Sequence, residues 1–292
     1  MTTAQNLADD KVGAVLNQQR FQMLEDIAHE LAGNVVFPIA FSATMRMRKE
    51  LQNPDLPLTR VISIVGVDPL IVAKLMSLAN SVLYCRDGQP VRGLAAAISR
   101  LGLELVRTTA LAIAMAQLLR SKEIVPFKGL AQTLWEHTVK TAVAAQVLAR
   151  TYTRLNPDEA LLAGLVHDLG AFYMLYRAAQ YPELRARPDT LRYIIAGWHE
   201  SIGVSLLNVF GLPEYVVDAA IDHHQPRAEM PVTVRTLSDI VYVGNILAGA
   251  QSQWLDQDAD SVSERLATLQ GTFAAILPAI ETETKDLLAT FA

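Results

Sequence analysis

Cysteine is almost absent, because the 292-residue chain contains only Cys85. A single cysteine excludes an intramolecular disulfide and a cysteine-rich zinc site, and it favours a reducing compartment, so we expect a cytoplasmic protein. Long apolar runs are missing too: the uncharged apolar-rich stretch between Arg107 and Arg120, TTALAIAMAQLL, has 12 residues. A membrane-spanning helix needs about 20, so the sequence predicts no span. The beginning of the sequence also lacks the pattern of a secretory signal.

Charge is scarce as well, since 19% of the residues are charged and the formal net charge is −5. The hydrophobic fraction of 51% is large enough to bury a sizeable core, which excludes a disordered chain. No dense block of lysine and arginine is present, and this argues against nucleic-acid binding. No glycine-rich loop follows a strand, so a phosphate-binding loop of that kind is not predicted.

Helical periodicity dominates what is present. The segment FQMLEDIAHELAG repeats apolar residues at the spacing of an amphipathic helix. Asp68-Pro69, Asn156-Pro157 and Leu212-Pro213 each place a proline where a helix begins, and Gly211 marks the end of another helix. We find no alternating strand pattern. The predicted fold class is therefore all-α, with roughly a dozen helices in two packed sub-bundles.

The predicted organisation has three parts. Residues 1–34 form a leading helix, and residues 251–292 form polar-faced terminal helices. Between them, residues 35–250 form the main domain, with an amino-terminal sub-bundle (35–120) and a second sub-bundle (130–250). The segment SKEIVPFKG (121–129) is interpreted as the loop that joins the two sub-bundles.

Five of the six histidines lie between residues 137 and 224. Imidazole and carboxylate groups are the ligands that a helical bundle can project inward to hold divalent metals, and without thiolates they suit Fe, Mn, Zn or Mg. We therefore predict a site for one or two metal ions. Its candidate ligands are His137, His167, Asp168, His199, His223, His224 and Asp239.

Each candidate also has a simpler interpretation. A lone histidine on a helix, such as His29, is more often a surface residue, and His29 is left out of the site. His199 could be a solvated helix residue beside Glu200. His224 could be a cation that stabilises the end of a helix, and Asp239 could be an N-cap or a solvated charge.

The pattern resembles the HD superfamily of metal-dependent phosphohydrolases, and in particular its HDOD branch of bacterial signalling output domains. The resemblance covers roughly residues 36–245. It is carried by the motifs LAGLVHDLG and LPEYVVDAAIDHHQP and by Pro38, Asp68-Pro69, Leu78–Ser81 and Ala97–Gly102. It implies that His137, His167, Asp168 and Asp239 match the core ligand pattern. It also implies that His199, His223 and His224 match the additional histidines of two-metal members.

The sequence departs from the hydrolases of that superfamily at two places. Ala171 stands where such enzymes usually have a lysine, and no Gly-Tyr-Pro motif follows His224. Lys140, one turn after His137, could reach the same cavity, although a solvated helix lysine is the more ordinary interpretation. The HDOD family is generally regarded as regulatory and without demonstrated catalysis.

Three functions remain open at this point. The preferred hypothesis is a non-catalytic signal-transduction module that binds a signalling protein partner or a small ligand. The second is a metal-dependent phosphohydrolase or phosphodiesterase that uses the His/Asp set. The third is a pH or metal sensor built on the clustered histidines, since imidazoles without a metal titrate near neutrality.

Overall fold

The computed structural model describes residues 13–33, 35, 39–53, 55–85, 88–227, 230–249 and 259–291. Pro38, the first twelve residues and residues 250–258 lie outside this part of the chain, so the predictions made for them are not addressed by it. The described residues form helices, turns and loops without a strand, which confirms the all-α prediction. The α-helices are α1 (Ala14–Ala32), α2 (Ile39–Glu50), α3 (Leu58–Val65), α4 (Pro69–Ala79), α5 (Leu94–Leu119), α6 (Lys128–Tyr152), α7 (Pro157–Val166), α8 (Leu169–Ala178), α9 (Pro182–Arg185), α10 (Pro188–Val209), α11 (Glu214–Ala219), α12 (Leu237–Ala248), α13 (Ala259–Thr272) and α14 (Leu277–Phe291).

The proline-marked helix starts occur where the sequence predicts them. The Asp68 carboxylate accepts hydrogen bonds from the backbone N–H groups of Leu70 and Ile71, at 2.8 and 3.3 Å. Asn156 Oδ1 accepts one from Asp158 N at 2.9 Å. These side chains satisfy N–H groups that have no partner within the first helical turn, so α4 and α7 begin at fixed positions.

The long helix α5 is bent at Gly102, whose φ of 76° places it in the left-handed region. By length and composition α5 could cross a bilayer, but 72% of its most apolar window is buried inside the fold. Helices α3 and α4 are long and apolar enough to cross a bilayer only when they are counted together across a bend of 119°. Helix α5 is the apolar centre of the amino-terminal half, so its hydropathy is explained by core packing.

The segment 121–129 is more ordered than a simple loop. Residues Lys122–Phe127 form a 3₁₀ helix, and α6 begins directly after it at Lys128. Ile124 and Phe127 are buried in this segment. Because these two apolar side chains anchor it to the core, the connection between the halves of the chain is fixed.

Helix α6 lies at the centre of the second half, against α7 and α12. Both neighbours approach it through glycine. A Cβ on Gly164 would lie 2.6 Å from Ala142 Cα, and a Cβ on Gly244 would lie 3.1 Å from the Thr141 carbonyl oxygen. A side chain at either position would push the α6 backbone aside, so the three helix backbones pack closely because both residues are glycine. The polar side chains that they carry inward are thereby brought together.

The terminal helices pack on this core. Arg177 on α8 pairs with Glu30 on α1 at 3.1 Å, and Tyr173 donates a hydrogen bond to the same carboxylate. At the other end, the ring centroids of Phe291 on α14 and Trp135 on α6 lie 5.8 Å apart. Both terminal helices therefore belong to the packed fold.

Candidate metal centre

The first two site residues lie where α7 gives way to α8. His167 is the C-cap of α7, and Asp168 is the N-cap of α8 with φ −103° and ψ 18°. Because the helix is interrupted between them, the two adjacent side chains need not diverge as they would on one continuous helix. The His167 Nδ1–H donates to the Gly164 carbonyl at 2.7 Å, and Nε2 lies 3.2 Å from Asp168 Oδ2.

His199 reaches the same carboxylate from α10, which packs directly against α8. Its Nδ1–H donates to the Ile195 carbonyl one turn earlier, at 2.7 Å. Its Nε2 lies 3.6 Å from Asp168 Oδ1. The bond to the helix backbone fixes the orientation of the ring.

His223 and His224 were predicted on a helix or at its end, but α11 ends earlier, at Ala219. They lie in the bend that follows, after Asp222, a non-glycine residue with φ 54°. The Asp222 N–H donates to Glu200 Oε1 at 3.0 Å, which holds this left-handed conformation beside His199. The bend turns both rings inward: their Nε2 atoms lie 3.2 and 3.7 Å from Asp168 Oδ1.

His137 on α6 completes the cluster, with Nε2 3.9 Å from Asp168 Oδ2. Asn245 on α12 is a cluster residue that sequence reasoning missed. Its Oδ1 lies 2.8 Å from His137 Nε2, and its Nδ2 donates to the His223 carbonyl at 2.9 Å. The available signal was that Asn245 is the one amide side chain in the apolar helix from Leu237 to Ala248.

Asp239, the seventh predicted ligand, is not brought to the cluster. It is the third residue of α12 and forms a capping box with Thr236, and its Oδ2 accepts from the N–H groups of Arg235 and Thr236. Its Oδ1 accepts from Arg227 Nη1 at 2.7 Å. Both oxygens are thus used to start the helix, and the residue of α12 that faces the cluster is Asn245.

Burial controls the charge of the cluster. It lowers the pKa of His137 to about 4 and also lowers the pKa values of His199 and His224. Burial alone would raise the pKa of Asp168, but the neighbouring histidines, His167 first, hold it well below its ordinary value. The centre is therefore one ionised carboxylate surrounded by rings, at least three of which are neutral at pH 7.

These residues fit a metal ion. The candidate ligand atoms fall into two groups that share Asp168, one with His137 and His167 and the other with His199, His223 and His224, and within each group they lie no more than 4.8 Å apart. His167 Nε2 and His199 Nε2 are buried without a hydrogen-bond partner. Unpartnered buried nitrogens beside a carboxylate are the donors that a divalent cation satisfies.

The cluster is closed and contains no lysine or arginine. Its histidines and Asp168 are each at most 4% exposed, and four surface cavities of the described chain are lined by other residues. Among the described residues, the ion-pair partners of the Asp168 carboxylate are all histidines. Ala171 is buried, and Lys140 is half-buried on α6.

Comparison with known proteins adds a family. The model of the HDOD domain matches residues 38–226. An uncharacterised protein of Treponema pallidum (strain Nichols) is 24% identical over 200 residues, which is 63% of this chain and 36% of that protein. The chain thus matches about a third of the length of this curated relative.

Solved structures share the fold. A candidate metal-dependent phosphohydrolase from Shewanella amazonensis SB2B superposes with a TM-score of 0.74 at 23% identity, covering 96% of this chain and 100% of that chain. A candidate signal transduction protein from Marinobacter aquaeolei VT8 gives a TM-score of 0.53 at 19% identity, covering 93% of this chain and 65% of that one. At these identities the likeness shows a common all-α fold.

Proposed function

This chain belongs to the HDOD family, and on that premise we propose that it is a non-catalytic module of signal transduction whose buried histidine cluster holds a divalent metal ion. The observation that carries the proposal is the closed cluster, in which the Asp168 carboxylate is surrounded by histidines and, within the described part of the chain, by no other titratable partner. The signal transduction protein of similar fold supports the regulatory role.

Hydrolysis of a phosphate ester requires more than metal ligands. The substrate must reach the metal, and a positive group must stabilise the charge that develops on phosphate oxygens. Here the cluster histidines are almost completely buried, and Ala171 is an apolar side chain in the core. Both features favour a module that holds its metal without exposing it to a substrate.

A metal bound in this cluster would act on the fold. Asp168, His199 and His223 come from the α7–α8 junction, α10 and the bend after α11, so a shared ion would join these elements. Because a ligand that binds only the folded state stabilises it, occupancy would be coupled to the conformation of the second half. We propose that a signalling protein or a small ligand outside the cluster responds to that conformation.

The test is a turnover screen of metal-loaded protein. The full chain, loaded with Mn²⁺ or Fe²⁺, is incubated with an aryl phosphate, cyclic dinucleotides, (p)ppGpp and common nucleotides. We expect no turnover above that of the His167→Ala variant. Turnover that disappears in this variant would overturn the non-catalytic assignment.

The second candidate function is metal-dependent phosphohydrolysis. It is favoured by one observation, the two groups of potential ligands that share Asp168, because paired metals on a shared carboxylate suit phosphoester hydrolysis. The similar fold of the Shewanella protein points the same way. This candidate requires substrate access to the cluster, so it predicts that the metal-loaded original chain hydrolyses the aryl phosphate.

A sensor that responds to pH through these histidines is the weakest of the three hypotheses. Burial lowers the pKa values of His137, His199 and His224, which moves their titration below the neutral range. A module of this kind would hold these rings neutral from pH 7 to 8. Partner binding that stays flat between pH 5.5 and 8 would remove the hypothesis.

A further inference from the structure

The hydrogen bonds of the cluster determine which histidine nitrogens can bind a metal. Nδ1 of His167, His199 and His223 lies 2.7, 2.7 and 2.8 Å from a backbone carbonyl. A carbonyl oxygen only accepts, so each Nδ1 must carry the hydrogen. In a neutral ring Nε2 then has the lone pair, and in all three residues Nε2 is the atom that faces Asp168.

Asn245 imposes the opposite arrangement on the other two histidines. Its contact with the His223 carbonyl requires the amide nitrogen at that end, so Oδ1 must face His137. An amide oxygen only accepts, and His137 Nε2 therefore carries a hydrogen in either protonation state. That nitrogen cannot bind a metal while this bond remains.

The same amide group also fixes His224. Asn245 Nδ2 lies 3.3 Å from His224 Nδ1, which must accept the second amide hydrogen. The hydrogen of the neutral His224 ring is then on Nε2, the atom 3.7 Å from Asp168 Oδ1. Asn245 thus holds one histidine of each ligand group in the tautomer that keeps a hydrogen between the ring and the carboxylate.

We infer that the cluster retains one metal ion, held by Asp168, His199 and His223, and that Asn245 prevents a second ion from binding beside His137 and His167. The group with His137 and His167 loses most of its ligands, because without His137 it has only His167 and one oxygen of Asp168. Two protein ligands are fewer than the three or four that usually hold a transition metal. The other group keeps two imidazoles and one carboxylate, a set known to bind divalent iron.

This inference deepens the proposed function and depends on its metal site. The central experiment replaces Asn245 by Asp, which has nearly the same shape. A carboxylate cannot donate to His224 Nδ1, so that tautomer is released. Its oxygens still accept from His137 Nε2, but they can also bind a metal, so a second ion gains an anionic ligand in addition to His167 and Asp168. The full chain and the Asn245→Asp variant are stripped with a chelator, reloaded with Mn²⁺, desalted and measured by elemental analysis.

We expect one Mn²⁺ per chain in the original protein and two in Asn245→Asp. Electron paramagnetic resonance provides a second measurement, because one isolated Mn²⁺ gives a six-line spectrum and two neighbouring ions give an exchange-coupled spectrum. Asp239→Asn is the matched control, since it changes a carboxylate on the same helix outside the cluster, and it should keep one ion.

A histidine pair tests the inference even if Asn245→Asp does not fold. His199→Gln should bind Mn²⁺ with a dissociation constant at least tenfold higher, whereas His167→Gln should keep one tightly bound ion. Loss of Mn²⁺ from His167→Gln with retention in His199→Gln would overturn the inference. Two ions in the original protein, or one ion in a folded Asn245→Asp variant, would overturn it as well. Absence of any bound metal from the original protein would instead overturn the metal site of the proposed function itself.

Discussion

Gly170 on α8 lies so close to His199 on α10 that a Cβ at position 170 would be 1.9 Å from the His199 carbonyl oxygen. The same Cβ would be 2.6 Å from the backbone nitrogen of Gly203. Two helix backbones therefore meet here without an intervening side chain. This contact sets the distance between Asp168, at the start of α8, and His199.

Replacement of Gly170 by alanine tests that contact. The two backbones must separate, so we expect Gly170→Ala to lower the free energy of unfolding by about 3 kcal/mol or more and to weaken metal binding. Gly197→Ala is the matched control, because Gly197 is on α10 and a Cβ there has nothing within 4 Å. That variant should gain up to about 1 kcal/mol from helix propensity. Urea denaturation of both proteins measures the difference, and equal stabilities would contradict it.

Asp239 is expected to matter for stability and not for metal binding. Asp239→Ala removes the acceptor for the Arg235 and Thr236 N–H groups and for Arg227, so unfolding should become easier by about 1–2 kcal/mol. The metal content of the purified chain should stay unchanged. Loss of metal from a variant that remains folded would instead restore Asp239 as a ligand.

A lysine at position 171 should not produce a hydrolase. Ala171 is 1% exposed in the core of α8, so a lysine there would be a buried and unpaired cation. We expect Ala171→Lys to be destabilised by about 3–5 kcal/mol without gaining aryl phosphatase activity. Asn208→Lys, on an exposed helix position, serves as the control and should change stability by less than about 0.5 kcal/mol. Activity in a stably folded Ala171→Lys protein would favour the phosphohydrolase hypothesis.

Stability should fall as the pH is lowered from 6.5 towards 4, in the presence of a chelator. Burial holds the pKa of His137 near 4, below its ordinary 6.5, so the unfolded chain binds a proton in this range that the folded chain excludes. His137 alone accounts for roughly 3 kcal/mol of the loss, and His199 and His224 act in the same direction. The midpoint of urea unfolding at several pH values measures this effect.

The variant His137→Gln isolates that contribution. It removes the ring whose protonation is unfavourable in the folded state, so its stability should depend less on pH between 6.5 and 4 than that of the original chain. His29→Gln, an exposed position on α1, should retain the original dependence. A His137→Gln profile parallel to the original would show that other groups cause the acid sensitivity.

The sequence by itself determined the fold class, several helix starts and six of the residues that meet in the cluster. Capping side chains and proline act within one turn of the chain, and so Asp68 and Asn156 could be read locally. The motif around His167 and Asp168 indicated the family for the same reason, because its residues are neighbours in sequence.

Tertiary structure decided which of those residues meet. Asp239 and Asn245 lie on the same helix, and composition favoured the carboxylate as a ligand, yet the helix start engages Asp239 while the packing of α12 against α6 directs Asn245 to His137. The bend at Asp222 likewise turns His223 and His224 inward after the helix has ended. Such outcomes depend on contacts between residues 22 to 108 positions apart, which local periodicity does not contain.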